Sequence, residues 1–333
     1  MHTAWQHDDG FQRKTISYFP SEQQQHRQEL ESFAHVWMFI DDVRQSIMPI
    51  GGRAQPGRAF TIEVTPNESA FRTIISEAFV SHQHRNHYSF TQGLSEFITD
   101  IAHQLAYRGC VHYEVVPWGE PEGANPTDVQ ILEPLLGSRR FQVVLIPGRI
   151  INIAGHTFQL IPRVEQAQQR KRFIHLTNSQ VWSVSLPEEL GTPRSHRAML
   201  RAMARASTTL PTFAMTQLDK PPQATDFTFR DFHEQQELAM AHETALWGWP
   251  GRSMWREQTL EYFMVYRELR FAHSMAILRE HILFMMNELL QRRQLPTRLA
   301  IKGLPTTKEV QAYIEQLHSG ELSFKEALQL VDI

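Results

Sequence analysis

A chain of 333 residues, 41% hydrophobic and 21% charged, has enough apolar material to bury cores in two modest domains, and its formal net charge of −3 excludes a globally basic nucleic-acid binder. The single cysteine, Cys110, excludes an internal disulfide and reads as the mark of an intracellular or viral protein. No apolar run reaches the roughly 18 residues of a membrane span, and the opening MHTAWQHDDGFQRKT lacks the apolar centre of a signal peptide, so a soluble protein is the expectation.

In chain order, Pro20-Ser21 predicts a helix start, and Leu30, Phe33, Val36, Trp37, Ile40, Val43 and Ile47 mark one apolar face up to Pro49. Gly51-Gly52 and Pro56-Gly57 break the chain. Phe60, Ile62 and Val64 then alternate with Thr61, Glu63 and Thr65 as a half-buried strand does. Helices are predicted over 67–80 and 95–107, the second stopped by Gly109.

After Gly109 the pattern turns to short strands over 110–116, 141–146, 150–153, 157–161, 173–176 and 181–186, with the Pro- and Gly-rich insert 117–126 as a surface loop. Helical periodicity returns over 192–206. A Pro-containing connection (208–226) leads to a helix over 228–246 and to the breaker Trp247-Gly248-Trp249-Pro250-Gly251.

The most prominent element follows, over 253–293, with no Pro or Gly and with Leu260, Phe263, Met264, Leu269, Phe271, Met275, Leu278, Ile282, Met285, Met286 and Leu289 at helical steps. At about 1.5 Å per residue this rod reaches roughly 60 Å, longer than a compact domain needs. Thr306 and Glu309 predict a capping box that opens a helix to His318, and Gly320 separates it from a last helix over 323–330. The fold class expected is α+β, mainly helical, with a small β-rich region and one long helix.

Three constellations bear on chemistry. Ser81-His82-Gln83-His84-Arg85-Asn86-His87 lies close to the H-x-H-x-D-H pattern of metallo-β-lactamase-like hydrolases, and His156 follows some seventy residues later; His82, His84, His87 and His156 are thus candidate ligands for zinc or manganese. Asn86 stands where an anionic ligand is needed, the segment before His82 reads as helix, and the Gly-Asp second motif is missing. For nucleophilic chemistry, Cys110 reads as core, no G-x-S-x-G, P-loop or G-x-G-x-x-G occurs, and Asp41-Asp42 and Glu188-Glu189 read as solvated surface.

The third constellation is basic. Between Arg163 and Arg205 there are eight Lys or Arg against three acids, and Arg194, Arg197, Arg201 and Arg205 recur at three, four and four on one side of a helix. Such a face meets phosphates without reading bases, or else is a solvated face or an interface to acidic residues of a neighbouring subunit.

The order of elements resembles the portal proteins of tailed bacteriophages. The resemblance is carried by the helix-to-strand step Leu105-Ala106-Tyr107-Arg108-Gly109-Cys110-Val111-His112-Tyr113-Glu114-Val115-Val116, by the strand Arg172-Phe173-Ile174-His175-Leu176, and by the turn Leu186-Pro187-Glu188-Glu189-Leu190-Gly191-Thr192-Pro193-Arg194. The long helix, the turn Gly303-Leu304-Pro305-Thr306 and the ending His318-Ser319-Gly320-Glu321-Leu322-Ser323-Phe324 are similar to the helical crown-side part of that family. The chain is short for the family.

The resemblance, which spans roughly residues 90–333, implies an N-terminal helical arm (1–57), an α+β wing-like body (58–191), a helical stem and clip-like region (192–252, with 208–226 as the candidate clip) and a long tunnel-type helix with C-terminal helices (253–333). It implies a homo-oligomeric ring, a dodecamer, in the virion and in host cytoplasm during assembly. Capsid and terminase proteins and sequence-independent double-stranded DNA are its implied partners, with no membrane, no cofactor and no catalysis, the ATPase being a separate subunit. On this reading Arg252, Arg256, Arg267 and Arg270 of the rod face the DNA channel, in a mixed-sign wall with Glu257, Glu261 and Glu268. Trp247, Trp249 and Trp255 are candidate anchors between subunits. A metal-dependent hydrolase and a monomeric helical adaptor are the alternatives.

Overall fold

The computed structural model describes residues 13–15, 33–48, 60–80, 88–117, 139–147, 150–153, 156–161, 166, 171–208, 229–252 and 261–331. Within them the chain is α+β and mainly helical, in this order: α1 (Ala34–Ile47), β1 (Thr61–Thr65), α2 (Ser69–Phe79), α3 (Phe90–Arg108), β2 (Cys110–Pro117), β3 (Phe141–Leu145), β4 (Ile150–Ile153), β5 (His156–Leu160), β6 (Phe173–Leu176), β7 (Val181–Ser185), α4 (Pro193–Thr208), α5 (Phe229–Glu243), α6 (Glu261–Arg292), β8 (Arg298–Lys302), α7 (Thr307–Ser319) and α8 (Phe324–Val331). No helix among the described residues is long and apolar enough to cross a membrane.

The helix α3 starts five residues earlier than the apolar face suggested, because Ser89 and Gln92 form a reciprocal capping box at its amino end. It stops at Gly109, whose left-handed conformation and proximity to Pro193 exclude a side chain: a Cβ there would lie 2.7 Å from the Pro193 Cα. The chain reverses directly into β2, the central strand of an antiparallel sheet of order β3-β2-β7. A second antiparallel sheet, β4-β5-β6, extends from it, with Ile146, Leu176 and Val181 buried between the two.

Trp182 on β7 joins the first sheet to the helices. Its ring packs against Phe79 of α2, Phe97 of α3 and Tyr113 of β2. Glu114, buried on β2, reaches to the amino-terminal side of the chain: its carboxylate accepts from the backbone N–H of Lys14 and Thr15 and from the Thr15 hydroxyl at 2.6–2.9 Å. Arg13 completes this clasp by donating to the Leu145 carbonyl.

The long helix α6 accounts for 32 residues of the predicted rod, about 48 Å at 1.5 Å per residue, and residues 253–260 fall outside the described residues. It packs at two places. Val265 and Leu269 form a small core with Ile314 and Leu317 of α7 and Ala327 of α8. Phe271, Met275, Leu278, Ile282, Met286, Leu289 and Leu290 enter the main core, which draws on residues from Val36 to Leu304. Residues from each of the four expected divisions (1–57, 58–191, 192–252 and 253–333) contribute to this main core. Strand β8, which sequence reading missed, pairs antiparallel with β1, so the stretch after the rod returns to a strand placed before α2.

The carboxyl half of the rod is tied down by a buried cation. Arg279, only 4% exposed, donates to the carbonyls of Ile47, at the carboxyl end of α1, and of Pro305, just before α7. Burial lowers its pKa to about 10, which leaves it charged at neutral pH. The negative end of the α1 dipole is a favourable place for that charge.

His196 of α4 is buried against Phe39 and Trp247, and its Nε2 bonds the Ala106 carbonyl at 2.7 Å. Burial lowers its pKa to about 4, against an opposing contribution from Ala106. Because the unfolded chain takes up this proton near pH 6.5 and the folded chain only near 4, the stabilisation is complete above pH 6.5 and is lost as pH falls between those values. The loss should approach about 3 kcal/mol, read as the difference between the denaturant-unfolding curves of the native chain and a His196→Leu variant across pH 7 to 4. A native curve that runs parallel to that of the variant would contradict this assignment.

Candidate nucleic-acid interface

The arginines at three- and four-residue steps form a true helix face. Arg194, Arg197, Arg201 and Arg205 of α4 are all exposed, whereas His196, Met199, Leu200, Met203 and Ala204 turn into the core. Thr192 and Ser195 close the amino end, with Ser195 N–H donating to the Thr192 hydroxyl at 3.2 Å. The helix contains no acidic residue. Arg197 Nε donates to the Pro193 carbonyl, and Arg194, Arg197 and Arg201 make no ion pair among the described residues.

From Arg194 to Arg205 the row spans on the order of 17 Å, a length over which a duplex offers several phosphates. Its positive field extends to the strand beside it. Arg197 and Arg108 both favour the thiolate of Cys110, but burial is the larger effect and pushes the thiol pKa up. Cys110 is partly buried, and that burial disfavours the thiolate, the nucleophilic form.

Next to Cys110, His112 Nδ1 lies 2.7 Å from the Ser183 hydroxyl across the β2–β7 ladder. Burial and Arg108 lower the pKa of His112. Among the described residues no carboxylate orients this histidine, so the pair lacks the third member that activates a hydroxyl nucleophile. Sequence reading missed this pair because only the strand register brings positions 112 and 183 together.

The rod's arginines are placed differently from the expectation. Arg252 pairs with Asp41 and Asp42 at 2.6 Å and stacks over Trp37, and Arg267 donates to the Trp249 carbonyl. Both are spent on holding the 247–252 turn against α1 and α6, and neither is a free channel charge. Asp41 and Asp42 are correspondingly not solvated surface: Asp42 also accepts from Trp249 Nε1 at 2.9 Å. Arg270 and Glu268 are half-buried, Glu261 is exposed, and Arg256 and Glu257 lie outside the described residues.

The tryptophan anchors need the same correction. Trp247 and Trp249 are fully buried within their own chain, each edge-on to Phe39 at 5.2 and 5.7 Å, and so present nothing to a neighbour. Gly248 between them presses on the rod, where a side chain would collide with Arg270. Trp255 lies outside the described residues, as do His82, His84 and His87. His156 is placed on β5, beside His175 of β6. No group of three or more His, Cys, Asp or Glu able to hold a metal ion occurs among the described residues.

Compared with known proteins, the chain matches no family model, and no curated protein is similar to it in sequence.

The two sets of arginines should separate in a stability measurement. Replacing Arg194 and Arg201 by Ala should leave unfolding free energy within about 0.5 kcal/mol of the native chain, as for exposed positions in general. Arg267→Ala should lose on the order of 1.5–3 kcal/mol with its charged hydrogen bond, measured by urea unfolding. Equal losses at both sites would mean that the α4 row is also structural.

Proposed function

We propose that the chain is a subunit of a portal-like ring at a phage capsid vertex, a structural channel for double-stranded DNA in packaging and ejection. The observation that carries this reading is the α4 face: four exposed guanidinium groups in regular steps on a helix with no acid, on a chain whose formal charge is −3. A local basic row on a mildly acidic molecule suits a partner met at one face only, and arginines spaced by helical steps meet phosphate without reading base edges.

Further support comes from architecture. The segments that resemble portal proteins fold as a helix stopped by Gly109 and reversed into β2, as the strand β6, and as a turn that leads into α4. The rod α6 is covered unevenly by its own chain, with Phe263 51% and Phe284 60% exposed. In a ring such apolar positions are met by the next subunit through a heterologous contact that closes. Arg252 and Arg267 are pinned within the chain, which favours α4 over these two as the DNA-facing charges. The partners on this reading are further copies of the chain, capsid and terminase proteins and DNA, with no chemical step of its own.

The test is binding of the purified assembly to two unrelated duplexes over a range of salt concentrations. Both duplexes should bind alike, and the triple variant Arg194→Ala/Arg197→Ala/Arg201→Ala should make the negative slope of log K against log salt shallower by roughly 0.9 for each phosphate that is no longer neutralised. An absence of DNA binding, or a slope the triple variant leaves unchanged, would remove α4 as the DNA face.

A further inference from the structure

The β4-β5-β6 sheet presents an outer face that the proposed DNA contact does not use. The register sets Thr157 opposite Leu176 and Phe158 opposite His175, which makes His156 and His175 diagonal neighbours on that face. Both are exposed. His156 Nδ1 lies 3.0 Å from His175 Nε2, with ring centroids 5.0 Å apart. Phe158 packs beside both rings, at 6.4 Å from His156 and 5.1 Å from His175, and Phe173 meets Phe158 edge-on at 5.4 Å. Two nitrogens are thus brought together by strand register and steadied by an aromatic floor, not by a loop.

We propose that His156 and His175 form a two-imidazole chelate for a divalent late first-row transition ion, with Cu²⁺ or Ni²⁺ the best fit. Metal–imidazole bonds are about 2.0–2.1 Å, so two of them closing on nitrogens 3.0 Å apart subtend about 95°. That is the angle between adjacent ligands in a square-planar or tetragonal site, whereas a tetrahedral ion such as Zn²⁺ asks for a separation of about 3.3 Å. The order of affinities for nitrogen ligands also places Cu²⁺ first.

In the hydrogen-bonded pair one facing nitrogen carries a proton and the other a lone pair. On binding, that proton moves through solvent to the other nitrogen of the same ring, both neutral imidazoles turn lone pairs to the ion, and the ion gives up two waters. Charge and protons balance, and no electron is transferred. Since no third protein ligand joins the pair among the described residues, the remaining positions are left to water or to a donor from another molecule. This inference stands apart from the DNA reading.

Titration of the full chain with CuCl₂, NiCl₂ and ZnCl₂, followed by calorimetry and by the nitrogen couplings in the Cu²⁺ electron paramagnetic resonance spectrum, tests it. With 17 histidines in the chain other sites bind too, so the decisive quantity is the difference between variants. His156→Ala and His175→Ala should each remove the same equivalent of Cu²⁺, the equivalent whose affinity falls at least tenfold on going from Cu²⁺ to Zn²⁺. The variant His82→Ala/His84→Ala/His87→Ala should keep it. His156→Asn and His175→Asn, checked by circular dichroism for native fold, repeat the comparison with side chains closer in shape. Retention of that equivalent in either single variant, or its loss in the 82/84/87 variant alone, would overturn the proposal.

Discussion

The structure depends on how α6 is gripped. A helix about 48 Å long cannot be enclosed by the small sheets of this chain, so it is held at two stations, by α7 and α8 near its amino end and by α1, α3 and β8 along the rest. Within the second station Arg279 spends a buried charge on two carbonyls, one closing α1 and one opening the path to α7. A buried cation without those acceptors would be costly, which makes the position of α1 against the rod a condition of the fold and not an accident of packing. Everything carboxyl-terminal to the rod is then set by it: β8 leaves its end and pairs with β1, and Glu280 of the rod binds Thr307 at the start of α7.

The same grip sorts the charged residues by role. Arg252 and Arg267, at the entry to the rod, are occupied in closing the Trp-Gly-Trp-Pro-Gly turn onto Asp41, Asp42 and the Trp249 carbonyl. The α4 arginines are exposed, on a helix whose other side is filled by His196, Met199, Leu200 and Met203. One helix thereby faces inward with apolar groups and outward with guanidinium groups. The first set is tied into the fold, whereas Arg194, Arg197, Arg201 and Arg205 are exposed on the surface.

Most elements were legible because hydrophobic period survives into the structure: the strands after Gly109, the helices α4, α5, α7 and α8, the carboxyl end of α6 and the Thr306 capping box all lie within a few residues of where their patterns end. Strand β8 was not read, although Leu299 and Ile301 alternate in it as Ile62 and Val64 do in β1; it is a strand through its pairing with β1, far earlier in the chain. The site was half legible. The α4 row could be read because its spacing is helical, and spacing alone fixes a face. The tryptophans and rod arginines could not be placed, because whether Trp249 meets solvent or Phe39, and whether Arg252 meets DNA or Asp42, is decided by contacts some two hundred residues apart. Nor could the His156–His175 pair be read, for it exists only through the β5–β6 register.

Uneven cover along the rod, with Phe284 and Phe263 left open, is the physical root of the idea that identical copies line up side by side. The most direct check is the mass of the purified chain in solution by sedimentation. A closed assembly near twelve times 38.7 kDa is the predicted result; a single species of 38.7 kDa at every concentration tried would contradict it.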